Sequence, residues 1–417
     1  MPDPIRISLE DAHDDDRFGR FRLIGWWDQA RLARAKVLVI GAGALGNEII
    51  KNLALLGVGN VLIADMDRIE NSNLSRSVLY RASDNGQLKA DVAARSAREI
   101  YPGMNVHAFN GNVVYDLGLG VFRWADVVIG GLDNREARLA INRACYRLNK
   151  PWIDGAIEQI NGAARVFVPD GPCYECTMSD TDWKLLQHRR SCNLLSRPEM
   201  EGGKTPTTPT VSSIIAGVQT QEAVKLLHGM DVISGRGWVF NGLGCEAYQV
   251  EYQRKETCYS HDPLDEIVAL DARADTLTVA DLLAEARRRL GPAAELELAR
   301  DVLEKLACPK CGAAEEMFAS LGRVSADKAW CPTCKDVRRE VSTFYKIRGD
   351  EPFLGRTLAQ IGVPAFDVVI ARLAREGRSI GLELSWDATD VLGPLTAGAG
   401  PAPSSPPMPE TEGLEWT

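Results

Sequence analysis

The stretch from Lys36 to Arg76 reads KVLVIGAGALGNEIIKNLALLGVGNVLIADMDRIENSNLSR. Its first apolar run, Val37 to Ile40, is short, β-branched and uninterrupted, the pattern of a strand buried on both faces. The run ends in Gly41-Ala42-Gly43-Ala44-Leu45-Gly46, and Ile49, Ile50, Leu53 and Leu56 then recur at helical spacing. A second apolar run, Val61 to Ala64, closes on Asp65. Strand, glycine turn, helix, strand and acidic residue make a βαβ unit with a nucleotide-binding fingerprint. Turn glycines let the backbone approach a phosphate. The helix N-terminus adds N–H groups and the positive end of a dipole. An acidic side chain after the second strand can accept from a ribose hydroxyl. Alone, the stretch says nucleotide and leaves open which one.

The alternation continues outward. A helix is expected from Gln87 to Tyr101, a strand at Val106–Phe109 and another at Asp126–Gly130. A further helix is expected from near Asn134, within GLDNREARLAINRACYRLN. Strand-like runs follow at Trp152–Asp154 and Ala164–Val168. Residues 171–209 break the periodicity. A helix from Thr210 to Leu227 and closing strands at Trp238–Asn241 and Ala247–Tyr252 complete an α/β reading, a Rossmann-like doubly wound sheet with helices on both faces.

The length, 417 residues, suits two or three domains. The net charge of −9 argues against a nucleic-acid or anionic-membrane surface. Met1 to Asp16 holds no apolar export segment, and no run is long enough to span a bilayer. A soluble, cytoplasmic protein is expected. The divisions read as an acidic, disordered start (1–16) and a nucleotide domain (17–262) containing a crossover loop (171–209). A smaller α+β unit (263–390) and a disordered Pro/Ala/Gly/Ser-rich tail (391–417) follow.

The glycine loop has unusual company. Asp65 is joined by Asp67, then Asn73 and Arg76, then Arg81 and Lys89, then Asp133-Asn134 opening a helix that carries Arg138. Either Arg76 or Lys89 alone could be a solvated surface charge. As an ordered set, cations that reach a phosphate chain and an aspartate that can hold Mg2+ suit phosphoryl or adenylyl chemistry. Hydride transfer needs none of them.

Ten cysteines are present, seven of them in close groups: Cys173/Cys176, Cys308/Cys311, Cys331/Cys334, and Cys258 beside His261. Paired C-x-x-C motifs in a large chain without an export signal read as zinc sites rather than disulfides. The pairs at 308/311 and 331/334, nineteen residues apart, fit a zinc ribbon over residues 306–337. Cys145 falls at a core position of its helix, and Cys245 follows a glycine turn. Cys192 sits in HRRSCNLL, where His188, Arg189 and Arg190 would lower a thiol pKa. The alternative there is a packing cysteine beside Leu194 and Leu195.

The quoted stretch and GLDNREARLAINRAC resemble the ubiquitin-activating superfamily over about residues 17–262. That group includes activators of ubiquitin-like proteins and the adenylyltransferases of the molybdopterin and thiamine pathways. The resemblance implies ATP at the carboxyl edge of the sheet. It implies a β-grasp carrier protein whose C-terminal glycine carboxylate attacks the α-phosphate. By motif, Gly41, Gly43 and Gly46 match the ATP loop and Asp65 the ribose contact. Asn73, Arg76 and Lys89 match phosphate contacts, and Asp133 the magnesium aspartate. Asp67 and Asn134 flank these positions and join the nucleotide-binding set. DRFGRFRL matches the entry motif, whose second arginine, here Arg20, is supplied across a dimer interface, so a homodimer is implied. GPCYECTMS matches a first zinc pair, with Cys258 and His261 completing it. Two departures stand out: Ser77 follows Arg76 where glutamine is usual, and Phe21 replaces a glutamine.

Thioester-forming activators place their nucleophile in the crossover region, so the resemblance makes Cys192 the candidate for thioester formation and transfer to a conjugating-enzyme-like partner. The C-terminal unit is then compatible with a β-grasp core interrupted by the ribbon. Three rivals stay open: a sulfur-carrier adenylyltransferase that stops at the acyl-adenylate, a non-catalytic zinc-ribbon scaffold on a degenerate Rossmann fold, and an NAD oxidoreductase.

Overall fold

The computed structural model describes residues 16–183, 206–373 and 376–398. The chain enters through a short turn, Gly19–Leu23, and α1 (Gln29–Arg34), whose N-terminus is capped by the Asp28 carboxylate. Then come β1 (Lys36–Ile40), α2 (Ala44–Leu55), β2 (Asn60–Ala64), α3 (Lys89–Ile100), β3 (Asn105–Phe109), α4 (Leu119–Trp124), β4 (Val127–Gly130) and α5 (Arg135–Arg147). They are followed by β5 (Trp152–Glu158), β6 (Asn161–Phe167), α6 (Tyr174–Thr177), α7 (Pro209–His228), β7 (Arg236–Asn241) and β8 (Glu246–Glu251).

The first sheet has the order β3-β2-β1-β4-β5-β6-β7-β8. Its first five strands are parallel, and β6 to β8 are antiparallel. Chain direction across the sheet reverses between β1 and β4. That reversal opens a crevice beyond the carboxyl ends of the strands, where ligands of such sheets bind. Both faces of β1 are covered. Val37 and Val39 pack with α2, α3 and α7, while Leu38 and Ile40 pack toward α4 and α5. This is why its sequence is a continuous apolar run. The 20-residue α7 starts with Thr208 as its cap and Pro209 in its first turn, and ends at Gly229 in a left-handed conformation, φ 72°. The short α4 and α6 were not expected from the sequence; neither is long enough to show a periodicity.

The C-terminal part contains β9 (Glu266–Leu270), α8 (Val279–Leu290), β10 (Glu295–Ala307), β11 (Ala314–Ser320), β12 (Glu340–Ile347), β13 (Val368–Leu373), β14 (Arg378–Leu384) and α9 (Ala388–Leu392). Its sheet runs β11-β10-β13-β14-β9, with β12 paired to β10. The expected β-grasp core is not what forms. A β-grasp opens with a hairpin before its helix; here β9 alone precedes α8 and lies at the sheet edge, parallel to β14. β10 is long because its second half pairs with both β11 and β12 and carries the chain into Cys308.

Residues 391–398, expected to be part of a disordered tail, are structured. Val391, Leu392 and Leu395 are buried against the first sheet's α4 side, so residues 391–398 belong to the fold. The two sheets share this core: Phe366, Val368 and Ile370 pack with Leu119, Phe122 and Leu38. No helix of the described residues is long and apolar enough to cross a membrane.

Candidate functional site

The glycine loop lies at the point where strand order reverses. Gly41 has φ 94°, and a Cβ on it would lie 2.5 Å from the Gly131 carbonyl oxygen at the end of β4. A Cβ on Gly46 would meet the Gly41 carbonyl at 1.9 Å. Both positions therefore require glycine, one for conformation and both for space. Gly43 differs: a Cβ there would meet nothing within 4 Å, and the residue caps α2 without a side-chain bond. The space beside Gly43, at the N-terminus of α2, is thus open, an arrangement suited to an anion.

Two buried side chains shape this loop. The Asn47 amide donates to the carbonyls of Ala42 and Gly43 at 2.7 and 3.0 Å, and its oxygen accepts from Leu79 N–H at 2.9 Å. The Tyr80 hydroxyl donates to the Ala42 carbonyl at 2.6 Å. Burial pushes the Tyr80 phenol upward, so it stays protonated and a donor. From α7, Gln219 donates to the Gly130 carbonyl at 2.8 Å and fixes the end of β4. Sequence reading missed all three. Asn47 stood one residue beyond the fingerprint; Tyr80 and Gln219 gave no local signal, since their contacts join distant elements.

Asp65 accepts from Ala42 N–H at 2.7 Å and Asp67 N–H at 2.8 Å, which binds it to the loop. Burial raises its pKa, against the opposing pull of Lys89 and of the two N–H donors. Lys89, mostly buried, pairs with the exposed Asp67 at 2.8 Å. Asn73 accepts from Glu70 N–H within its turn, and Arg76 donates to the Ser72 carbonyl at 2.9 Å. Asp133 is exposed on the loop after β4, and among the described residues it has no hydrogen-bond or ionic partner. Asn134 caps α5, accepting from Ala137 N–H at 2.8 Å. Arg138 is not available to a ligand. It is buried, donates to Asp154 at 2.8 Å and to the carbonyls of Leu132 and Gly155, and shares Asp154 with Arg165.

Arg20 stands apart. Phe18, two residues before it, stacks edge-on to Tyr101 and lies where a Cβ on Gly57 would touch its ring. Tyr101 and Gly57 follow the ends of α3 and α2, at the sheet edge opposite the glycine loop. A 12-residue helix spans roughly 18 Å, so the exposed Arg20 is remote from the loop of its own chain.

Two metal-ligand sets are assembled. Cys173, Cys176, Cys258 and His261 present their ligand atoms within 4.8 Å of one another, as do Cys308, Cys311, Cys331 and Cys334. In the first, Cys173 and Cys258 sulfurs are 3.5 Å apart, Cys173 and Cys176 3.7 Å, and Cys176 to His261 Nε2 3.4 Å. In the second, Cys311 and Cys331 are 3.7 Å apart and Cys308 and Cys334 3.9 Å. A tetrahedral zinc with ~2.3 Å bonds separates its sulfurs by roughly 3.8 Å, so both sets fit the ion. Gly312 and Lys335, each the residue after a C-x-x-C, take left-handed φ of 72° and 56°. Their N–H groups return to the carbonyls of Cys308 and Cys331. With four protein ligands apiece, both sites are closed and suit structure rather than catalysis.

Cys145 is fully buried and its thiol pKa is pushed up by burial, as a packing residue requires. Cys245 is exposed in the turn between β7 and β8. Cys192, with His188, Arg189 and Arg190, lies outside the described residues.

With this geometry in hand, known proteins fall into place. The profile of the ThiF family matches residues 16–260. The SAMP-activating enzyme E1 of Haloferax volcanii is 31% identical over 264 residues, covering 61% of this chain and 91% of the relative. The sulfur carrier protein adenylyltransferase of Thermus thermophilus is 38% identical over 258 residues, 58% of this chain and 89% of the relative. Among solved structures, E. coli MccB superposes with a TM-score of 0.50 at 22% identity, over 63% of this chain and 75% of that one, a likeness of fold.

Proposed function

This chain belongs to the ThiF family, and from that premise we propose that it is an ATP-dependent activating enzyme for a ubiquitin-like carrier protein ending in glycine. The observation that carries the reading is the contact of Gly41 with Gly131. It joins the glycine loop, with Asp65 bonded to it, to the loop that bears Asp133. ATP would lie with its ribose on Asp65 and its phosphates over the open side of Gly43, near Lys89, Arg76 and Asn73. Asp67 and Asn134 frame the pocket through their own bonds to Lys89 and to α5. Mg2+ on the phosphates, held by Asp133, would neutralise charge on the leaving pyrophosphate.

A carrier carboxylate oxygen attacks the α-phosphorus, the bond to the bridging oxygen breaks, pyrophosphate departs, and an acyl-adenylate remains. Lys89 and Arg76 are suited to the charge that develops on the phosphates. Arg20, remote from its own loop, would serve the site of a second copy, so the working unit is a homodimer. The carrier's body has a place to rest. All six residues of β8 are exposed, Tyr248 and Val250 among them. An uncovered edge strand can extend a β-sheet partner.

In the preferred continuation the Cys192 thiolate attacks the acyl carbon and AMP leaves. The carrier is then held as a thioester and passed to a conjugating-enzyme-like protein. A second reading is favoured by the 38% identity to a sulfur carrier protein adenylyltransferase. In it the chain stops at the acyl-adenylate, and Cys192 is dispensable. Incubation with ATP, Mg2+ and a Gly-Gly carrier, followed by a gel without reductant, separates them. A thiol-sensitive adduct lost in Cys192→Ala supports the thioester. An adduct that survives the substitution rules out Cys192 as its nucleophile. Pyrophosphate exchange with no adduct supports the second reading, and no exchange at all returns the chain to the scaffold rival.

A further inference from the structure

The family match ends at residue 260, yet the part beyond it holds a loop that leaves the sheet on the nucleotide side. The loop of residues 110–118 leaves β3 at the carboxyl edge, directly after Phe109, whose carbonyl accepts from Asp65 N–H at 3.1 Å. The outer side of this loop is held by the C-terminal part. Arg300 donates to the Tyr115 carbonyl at 2.6 Å, and Arg323 pairs with Asp116 at 2.5 Å. Asp367 accepts from Leu119 N–H at 2.7 Å, and the Phe366 carbonyl from Gly120 N–H at 2.9 Å. Arg300 and Asp367 also lie 3.5 Å apart, both largely buried, which braces the two contacts against each other.

Tyr115 is the member of this loop that faces both ways. On one side it touches the turn Leu321–Arg323, between β11 and the second cysteine pair of the ribbon. A Cβ on Gly322 would fall 2.0 Å from the Tyr115 hydroxyl oxygen. On the other side that hydroxyl donates to Glu136 in the first turn of α5, at 3.2 Å. Glu136 is three residues from Asp133. Packed side chains have few arrangements open to them, so a displacement of the turn is passed on rather than absorbed.

We infer that Tyr115 is a positioning residue through which the ribbon turn at Gly322 sets the first turn of α5, and with it Asp133, relative to the glycine loop. This rests on the adenylyltransferase reading for its effect on ATP, but the mechanical coupling stands on the contacts alone. The variants are Gly322→Ala, Tyr115→Ala and the pair together. Gly322→Ala should raise the KM for ATP in pyrophosphate exchange roughly tenfold, within the range of ordinary coupling between sites. In the Tyr115→Ala background it should add nothing, since the side chain it pushes is gone.

Hydrogen exchange is read in the same proteins. Gly322→Ala should loosen residues 110–118 and 131–138, again only while Tyr115 is present. An unchanged exchange pattern and KM in Gly322→Ala would overturn the inference, as would equal effects with and without Tyr115. If the wild type binds no ATP, the adenylyltransferase reading falls, while the hydrogen-exchange comparison still decides the coupling. If Gly322→Ala does not fold, Arg323→Ala, which opens a surface pair on the same turn, is judged by the same two readouts.

Discussion

The Tyr80 hydroxyl meets the Ala42 carbonyl at 2.6 Å from beneath the glycine loop, and Asn47 donates to the same carbonyl at 2.7 Å. The two supports differ in weight. Tyr80→Phe leaves the carbonyl still bonded to Asn47, so it should cost about 1 kcal/mol of stability. Asn47→Ala removes three bonds and leaves Leu79 N–H without its acceptor, so about 2–3 kcal/mol is expected. Chemical denaturation checks the order, and both should weaken ATP binding because the loop loses its shape.

Asp65 gives a pH prediction. Its carboxyl is raised above the ordinary 3.8, first by burial. Ionised, it accepts from Ala42 and Asp67 N–H, and would accept from a ribose, more strongly than the neutral acid does. ATP affinity should therefore fall on the acid side at a higher pH than an ordinary aspartate would give. The stability term has the opposite sign. In that window the folded chain holds a proton that the unfolded chain has released, so the Asp65 contribution to stability rises as pH drops. Calorimetric ATP titrations and melting curves across the same pH series would expose the divergence; parallel losses in both would contradict it.

Asp154 is buried between Arg138 and Arg165. Removing one partner of a buried ionic set leaves uncompensated charge and costs about 3–5 kcal/mol. Asp154→Ala should therefore unfold far more readily than Arg288→Ala, which breaks an exposed pair with Glu285 worth at most about 1 kcal/mol. Comparable melting temperatures for the two variants would refute the assignment.

The first sheet was legible because its central parallel strands β1, β2 and β4 are buried on both faces and so spell themselves as apolar runs. The glycines of the loop were legible too, since Gly41 and Gly46 answer local needs for conformation and space. The C-terminal sheet was not, because its character lies in pairings such as β9 with β14, more than a hundred residues apart. No local periodicity records them. Residues 391–398 were misread as disordered, since a Pro/Gly-rich composition hid two buried leucines, Leu392 and Leu395, that anchor them. Arg138 misled in the opposite way. Beside Asp133 it read as a phosphate ligand, while its partner Asp154 lies on the neighbouring strand and occupies it.

The cysteine sets predict two zinc equivalents per chain by metal analysis. Cys331→Ser should reduce that to about one and lower the melting temperature, because binding energy in a closed site is folding energy. Cys176→Ser should do the same independently. A chain that retains both equivalents after either change would contradict the ligand assignment.

The central claim is tested most directly by exchange of labelled pyrophosphate into ATP in the presence of a carrier protein ending in Gly-Gly. The wild type is predicted to exchange only with ATP, Mg2+ and carrier together. Arg76→Ala is predicted to lose roughly 10³-fold or more, as expected when a cation on transition-state phosphate is removed, and Asp133→Ala to fall steeply with it. Exchange at the wild-type rate in both variants would contradict the account.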